Sequence, residues 1–229
     1  MGILDGKVAL VTGGGSGLGR ATAIGLAEEG AAIVLCGRRS SKITDVQAEI
    51  EALGGTAEAV VADVTSPEQI AALANFVRER FNRLDILINN AAVFIPGNGA
   101  DTSLEDWNTQ IQTNLTGPFL VTQAFLPLMR KQKYGRIVNI TSSLAQNGAD
   151  GFIAYAASKA GLESFTRSLA EEEEKSNILV NLFNPGTVKT EMHATGRDPR
   201  EAVPDLIRLV SLPDGGMSGR LVEAGHPAV

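Results

Sequence analysis

One cysteine stands in 229 residues, so no disulfide can close within the chain. That residue, Cys36, follows the apolar run Ile33-Val34-Leu35, where a free thiol serves as a small buried hydrophobe. Aromatic side chains make up only 5% of the sequence, so a core must be assembled from Ala, Val, Ile and Leu; the 44% hydrophobic content suffices for a sizeable one. No apolar run approaches the ~20 residues that span a bilayer. Charges interrupt the short apolar stretch at residues 1–10, so no signal peptide is expected either. The net charge of -6 and the even mixing of signs argue against nucleic acid as a partner, which would need clustered Lys and Arg. His193 and His226 are not spaced as metal ligands. The 25 glycines follow no repeat, which excludes collagen-like and low-complexity chains. The densest charge run, residues 171–174, reads as a solvated helix end. A soluble cytoplasmic protein of one domain, residues 1–229, is expected.

What is present is alternation. Short β-branched apolar runs at 7–12, 32–36, 57–61, 86–89, 136–140 and 178–183 read as strands. Helix-period segments lie between and after them, at 18–29, 41–53, 67–81, 104–130, 154–173 and 201–211. The strands are apolar throughout and do not alternate with polar residues, as strands covered by helices on both faces do. The pattern predicts an α/β fold: a doubly wound, Rossmann-type parallel sheet with right-handed crossovers.

Between the first strand and first helix runs Thr12-Gly13-Gly14-Gly15-Ser16-Gly17-Leu18-Gly19. Glycine in such a turn permits a tight bend, close backbone approach to a pyrophosphate, and close helix–strand packing, with the phosphates on the positive helix end. Gly13, Gly17 and Gly19 fit these demands at Gly-x3-Gly-x-Gly spacing, with Gly15, Ser16 and Leu18 lining the same turn. No Gly-Lys-Ser/Thr follows, against an NTPase phosphate loop. A ligand-free tight connection is the alternative. The second strand ends Cys36-Gly37-Arg38-Arg39, without the carboxylate that would accept a ribose 2′-hydroxyl. Two guanidiniums suit a 2′-phosphate, which puts NADP(H) ahead of NAD(H); two surface arginines opening a loop are the alternative. Asp63-Val64 ends the third strand, where Asp63 can accept from an adenine amino group or shape the turn before Ser66-Pro67.

Tyr155 and Lys159 stand four apart, on one helix face. A phenol of ordinary pKa about 10 is a poor acid–base catalyst at neutral pH, and a neighbouring cation is expected to lower it. Ser142 lies just past the fifth strand, and Asn89-Asn90-Ala91-Ala92 just past the fourth. Asn114 falls inside the long helical segment, where a short amide has poor propensity. Capping, turn formation and a local bend would each account for one of these, but not for their convergence on one sheet edge.

Together these residues resemble the short-chain dehydrogenase/reductase family. The matching pieces run from residue 7 to about 190: Thr12-Gly13-x3-Gly17-x-Gly19, Asp63-Val64, Asn89-Asn90-Ala91, Asn114, Ser142, Tyr155-x3-Lys159 and Pro185-Gly186-x3-Thr190. Ala92 departs from the family's frequent glycine. The resemblance implies an NADP(H)-dependent oxidoreductase that moves hydride between nicotinamide and a carbonyl or secondary alcohol. Tyr155 would be general acid or base, Lys159 would hold the ribose hydroxyls and tune Tyr155, and Ser142 would donate to the carbonyl oxygen. Asn114 would help hold a relay water. Asn90 and Ala91 would lie along the cofactor, as would Pro185, Gly186 and Val188, with Thr190 on the carboxamide. No metal is implied. The resemblance also implies a homo-oligomer, a dimer first and a tetramer second.

Only residues 191–200 separate Thr190 from the next helix, a shorter segment than many members carry and more similar to carbonyl-reductase-like members. A short lid implies an open crevice and broad selectivity for small-molecule substrates. Substrate loops are expected at 91–102, 144–153 and 187–200, with Phe94, Ile95, Leu144, Phe152, Ile153 and Met192 as an apolar wall. A 3-oxoacyl-thioester reductase is the enzymatic alternative and would need a basic patch for an acyl carrier. A non-catalytic NADP(H) sensor would not need Ser142, Tyr155 and Lys159, and a purely structural module leaves the glycine turn and paired Asn unexplained.

Overall fold

The computed structural model describes residues 2–191 and 194–226, so Met192 and His193 lie outside the described residues. Seven parallel strands form one sheet in the order β3-β2-β1-β4-β5-β6-β7. They are β1 (Val8–Thr12), β2 (Ala32–Gly37), β3 (Thr56–Val61), β4 (Ile86–Asn89), β5 (Gly135–Ile140), β6 (Ile178–Asn184) and β7 (Leu221–Glu223). The helices are α1 (Gly17–Glu28), α2 (Ser40–Ala52), α3 (Pro67–Phe81), α4 (Leu104–Ile111), α5 (Gly117–Gln132), α6 (Leu144–Asn147), α7 (Ile153–Glu172) and α8 (Val203–Val210).

The central strands present apolar side chains in both directions, and each direction has its own cover. Ala9, Val11, Ile33, Leu35, Ile86 and Ile88 pack with Leu26 of α1, Ile43 and Ile50 of α2, and Leu206 and Leu209 of α8. Their neighbours Val8, Leu10, Val34, Cys36 and Leu87 face the other way, onto Leu73 and Val77 of α3 and Val121, Phe125 and Met129 of α5. Cys36 is fully buried, and burial pushes its thiol up to about 12, so it stays an unreactive hydrophobe. Helix ends carry the expected signals. Ser66 Oγ accepts from the Gln69 N–H at 3.3 Å before Pro67, and α3 stops at left-handed Asn82.

Two expectations change. The single helix over 104–130 is broken by a π-helical turn, Gln112–Thr116, which inserts a residue between α4 and α5 around Asn114. The run at 171–174 is not wholly solvated: Glu173 is buried and bonds Arg130 through both carboxylate oxygens. Among the described residues, no helix is long and apolar enough to cross a membrane.

Candidate active site

All the turns that follow β1, β2, β3, β4, β5 and β6 open on the carboxyl edge of the sheet, around the β1–β4 junction where strand order reverses. In doubly wound sheets that crevice is the ligand site. Here it is a cleft of about 570 Å³. Lining it are Gly13, Gly15, Ser16, Gly17 and Leu18 from the first turn, and Arg38, Arg39, Asp63 and Val64 from the next two. Asn90, Ala91, Ser142, Tyr155, Lys159, Pro185, Gly186, Val188 and Thr190 complete it. Of the predicted site residues, Gly19 and Asn114 stand behind the wall and support it.

Thr12 ties the junction together: its Oγ1 accepts from the N–H groups of Asn90 (3.0 Å) and Ala91 (3.1 Å). Asn90 Nδ2 donates in return to the carbonyls of Thr12 (2.9 Å) and Gly13 (3.3 Å), fixing the glycine turn. A Cβ on Gly19 would lie 2.3 Å from the Gly13 carbonyl oxygen, so only glycine lets α1 approach this turn. Gly17 has φ 52, a left-handed conformation, and a Cβ there would press on Thr190.

Lys159 is buried, and its Nζ donates to the Ile140 carbonyl at the end of β5, 2.8 Å away. The ammonium lies 5.7 Å from the centre of the Tyr155 ring. The two groups do not shift as the spacing suggested. Burial pushes the Tyr155 phenol up, to about 12, and pushes Lys159 down, to about 8. Loss of solvent is the cause in both groups, and the Lys159 ammonium donates to the Ile140 carbonyl. Ser142 is partly buried, and its Oγ accepts from the Leu144 N–H at 3.3 Å, which leaves its own proton to give.

The loop after β4 is clamped by two buried amides one helical turn apart. Asn114 Oδ1 accepts from the Val93 N–H (2.8 Å), and its Nδ2 donates to the Val93 carbonyl (2.9 Å) and to Ser158 Oγ (3.1 Å). Ser158 Oγ donates onward to the Tyr155 carbonyl at 2.7 Å. Gln110 holds Ile95 in the same manner, accepting from its N–H at 3.2 Å and donating to its carbonyl at 3.0 Å. The π turn aims the Asn114 amide at this loop, which accounts for a poor helix former in that place. Gln110 was missed from sequence, although an amide four residues before Asn114 was a usable signal.

At the other end of the cleft, Arg39 Nη2 donates to Ser16 Oγ at 3.1 Å, and Arg38 lies 3.9 Å from Asp63. Asp63 Oδ1 also accepts from the Thr65 N–H (2.9 Å) and hydroxyl (2.8 Å), so it shapes its turn as well as lining the cleft. Lys42, also missed from sequence, joins the arginines on the cleft wall. The Glu191 carboxylate spans Arg39 (2.7 Å) and Lys42 (3.5 Å), an internal anion seated where a phosphate is expected.

The substrate wall agrees in part. Phe94 stacks on Phe152 (4.5 Å, 8°) and meets the Tyr155 ring edge-on (5.6 Å, 79°), and Leu144 lines the cleft. Ile153 instead faces outward into a separate groove with Leu104 and Trp107, because it opens α7 on the side away from Tyr155. Ile95 is held by its backbone and does not line the cleft. Among the described residues no His, Cys, Asp and Glu gather as a metal site.

Residues 7–201 match the short chain dehydrogenase family, so the chain belongs to that family and is an oxidoreductase acting on C=O and CH–OH groups. It is 43% identical over 190 residues to a 3-oxoacyl-[acyl-carrier-protein] reductase of Synechocystis, covering 82% of this chain and 77% of that one. It is 36% identical over 216 residues to 3-oxoacyl-[acyl-carrier-protein] reductase FabG of Escherichia coli, covering 94% and 85%. Among solved structures, a metagenomic short-chain oxidoreductase in complex with NADP is 34% identical, with a TM-score of 0.88 over 98% of this chain and 99% of that one.

Proposed function

We propose that the chain is an NADP(H)-dependent reductase of ketones, a single domain over residues 1–229. The observation that carries this is one continuous cleft with Ser142, Tyr155 and Lys159 at one end and Arg38, Arg39 and Lys42 at the other. The glycine turn fits a pyrophosphate, and the Glu191 carboxylate between two cations stands in for the 2′-phosphate. The cofactor supplies hydride; the chain supplies position, hydrogen bonds and the proton.

Tyr155, held protonated by burial, donates its proton to the carbonyl oxygen of the substrate, and Ser142 donates a hydrogen bond to the same atom as negative charge grows there. Lys159 stands under Tyr155 with most of its population charged at pH 7, ready to bind ribose hydroxyls and to carry a proton toward the phenol. Asn114 keeps Val93 and Ser158 in place, and through Ser158 the Tyr155 backbone. Pro185, Gly186, Val188 and Thr190 would hold the nicotinamide half, and Gly13, Gly15, Ser16, Gly17 and Leu18, which line the same cleft, the pyrophosphate.

The short segment beyond Thr190 and the Phe94–Phe152 wall favour neutral, apolar carbonyl substrates over a broad range. A second activity, reduction of 3-oxoacyl thioesters, is favoured by likeness to reductases so named. Exposed Phe119 on α5, edge-on to Phe165 of α7, suits self-association into a dimer, with a tetramer as the larger assembly. The test is turnover of small ketones and a 3-oxoacyl thioester with NADPH and NADH, for wild type and Tyr155→Phe. NADPH-dependent turnover should fall about 10²- to 10⁴-fold in Tyr155→Phe with cofactor binding kept. Turnover retained in that variant removes the proposed role of Tyr155.

A further inference from the structure

Glu191 is an acid in the cleft to which the proposed reaction gives no role of its own. It follows Thr190 directly and lines the cleft beside it. Its two carboxylate oxygens are divided between two cations, Oε2 at 2.7 Å from Arg39 Nη1 and Oε1 at 3.5 Å from Lys42 Nζ. Arg39 and Lys42 sit three residues apart at the start of α2, so one turn of helix presents both to the same anion. Arg39 is held from its other side by Ser16 Oγ at 3.1 Å, which aims the guanidinium at the end of the glycine turn. All these residues line the cleft. The cations hold the Glu191 carboxyl below its ordinary range, so at neutral pH it is a full negative charge.

Two consequences oppose each other. A 2′-phosphate needs the same guanidinium and ammonium that Glu191 occupies, and a dianion cannot share them with a carboxylate without repulsion. A ribose 2′-hydroxyl carries no charge and donates a hydrogen bond, for which a carboxylate is the usual acceptor. In other doubly wound proteins that carboxylate ends the second strand; here two arginines follow the second strand, and the acid comes from the segment after Thr190.

We propose that Glu191 is a specificity-determining residue that competes with the 2′-phosphate for Arg39 and Lys42, narrowing the preference for the phosphorylated dinucleotide. The proposal rests on the NADP(H) reading of this cleft. The three side chains are each about half exposed (47–56%), so solvent screens the competition and the effect is modest, roughly two- to fivefold in affinity.

The experiment is calorimetric binding of adenosine 2′,5′-bisphosphate and adenosine 5′-monophosphate to wild type and Glu191→Gln at low ionic strength, with no turnover involved. The bisphosphate should bind the variant about two- to fivefold more tightly, while the monophosphate stays within about 1.5-fold or weakens. Glu191→Lys should move the bisphosphate further in the same direction, and about 0.5 M salt should erase most of the difference. An unchanged or weaker affinity for the bisphosphate, or an equal gain for both probes, overturns the role of Glu191 while leaving the site as a nucleotide site. Failure of wild type to bind either probe overturns the nucleotide reading, and the inference with it.

Discussion

At the adenosine end of the cleft, Arg39, Lys42 and Glu191 each expose about half of their side chains and are held mainly by one another. At the catalytic end, Asn114, Ser158 and Lys159 are almost wholly buried and are held largely by backbone carbonyls and N–H groups. Exposed ion pairs contribute at most about 1 kcal/mol and tolerate change. A buried amide that satisfies three partners cannot be removed without orphaning all of them. Charge recognition needs only charge nearby, whereas proton and hydride transfer need atoms in register. The contrast predicts that selectivity between cofactors can be edited singly, while the chemistry resists single edits.

The most severe test of that contrast is Lys159→Met. Turnover should fall at least about 100-fold. Stability should move the other way, because the fold holds Lys159 at about 8 against an ordinary 10.5 and so disfavours the ammonium. The cost is complete below pH 8 and fades as pH rises to 10.5. Denaturant unfolding should therefore show the variant more stable by about 1–3 kcal/mol at pH 7, after loss of the bond to Ile140, with the advantage gone near pH 10.5. A variant less stable than wild type at pH 7 would break the view that this end carries strain for function.

Asn114→Leu comes next. It strips partners from the Val93 N–H and carbonyl, and should cost about 3 kcal/mol in urea unfolding, with kcat reduced more than cofactor affinity. A loss under 1 kcal/mol would mean that the loop after β4 is held elsewhere. Smallest is Arg39→Ala, expected to weaken NADPH binding about five- to tenfold by fluorescence titration and to leave NADH within twofold. Equal weakening of both would place Arg39 on the pyrophosphate rather than on the ribose.

The sequence revealed most where one residue type answers one demand. Glycine at 17 and 19 answers a left-handed turn and a close approach, and the Tyr155–Lys159 spacing answers a shared helix face. It revealed least where the partner lies far along the chain. Lys42 looks like any solvated residue of α2 until Glu191 is brought beside it from 149 positions away. The π turn hid because helical periodicity continues on both sides of one inserted residue. The lowering expected for Tyr155 gives way to a rise because spacing fixes a face and not the burial found there, which pushes the phenol up. Glu173 passed for a solvated member of an acidic run because Arg130 is 43 residues away.

The bond network around Thr12 has a consequence for how the chain is made. Thr12 reaches Asn90 and Ala91, so the floor of the cleft cannot close until some ninety residues have left the ribosome. Until then β1 has only β2 beside it and the glycine turn has no far wall. A nucleotide bound across this junction grips both halves of the sheet and withdraws the folded form from the reach of proteases. A nucleotide in this cleft is thus a ligand for the finished topology, stabilising the chain only once both halves of the sheet have met.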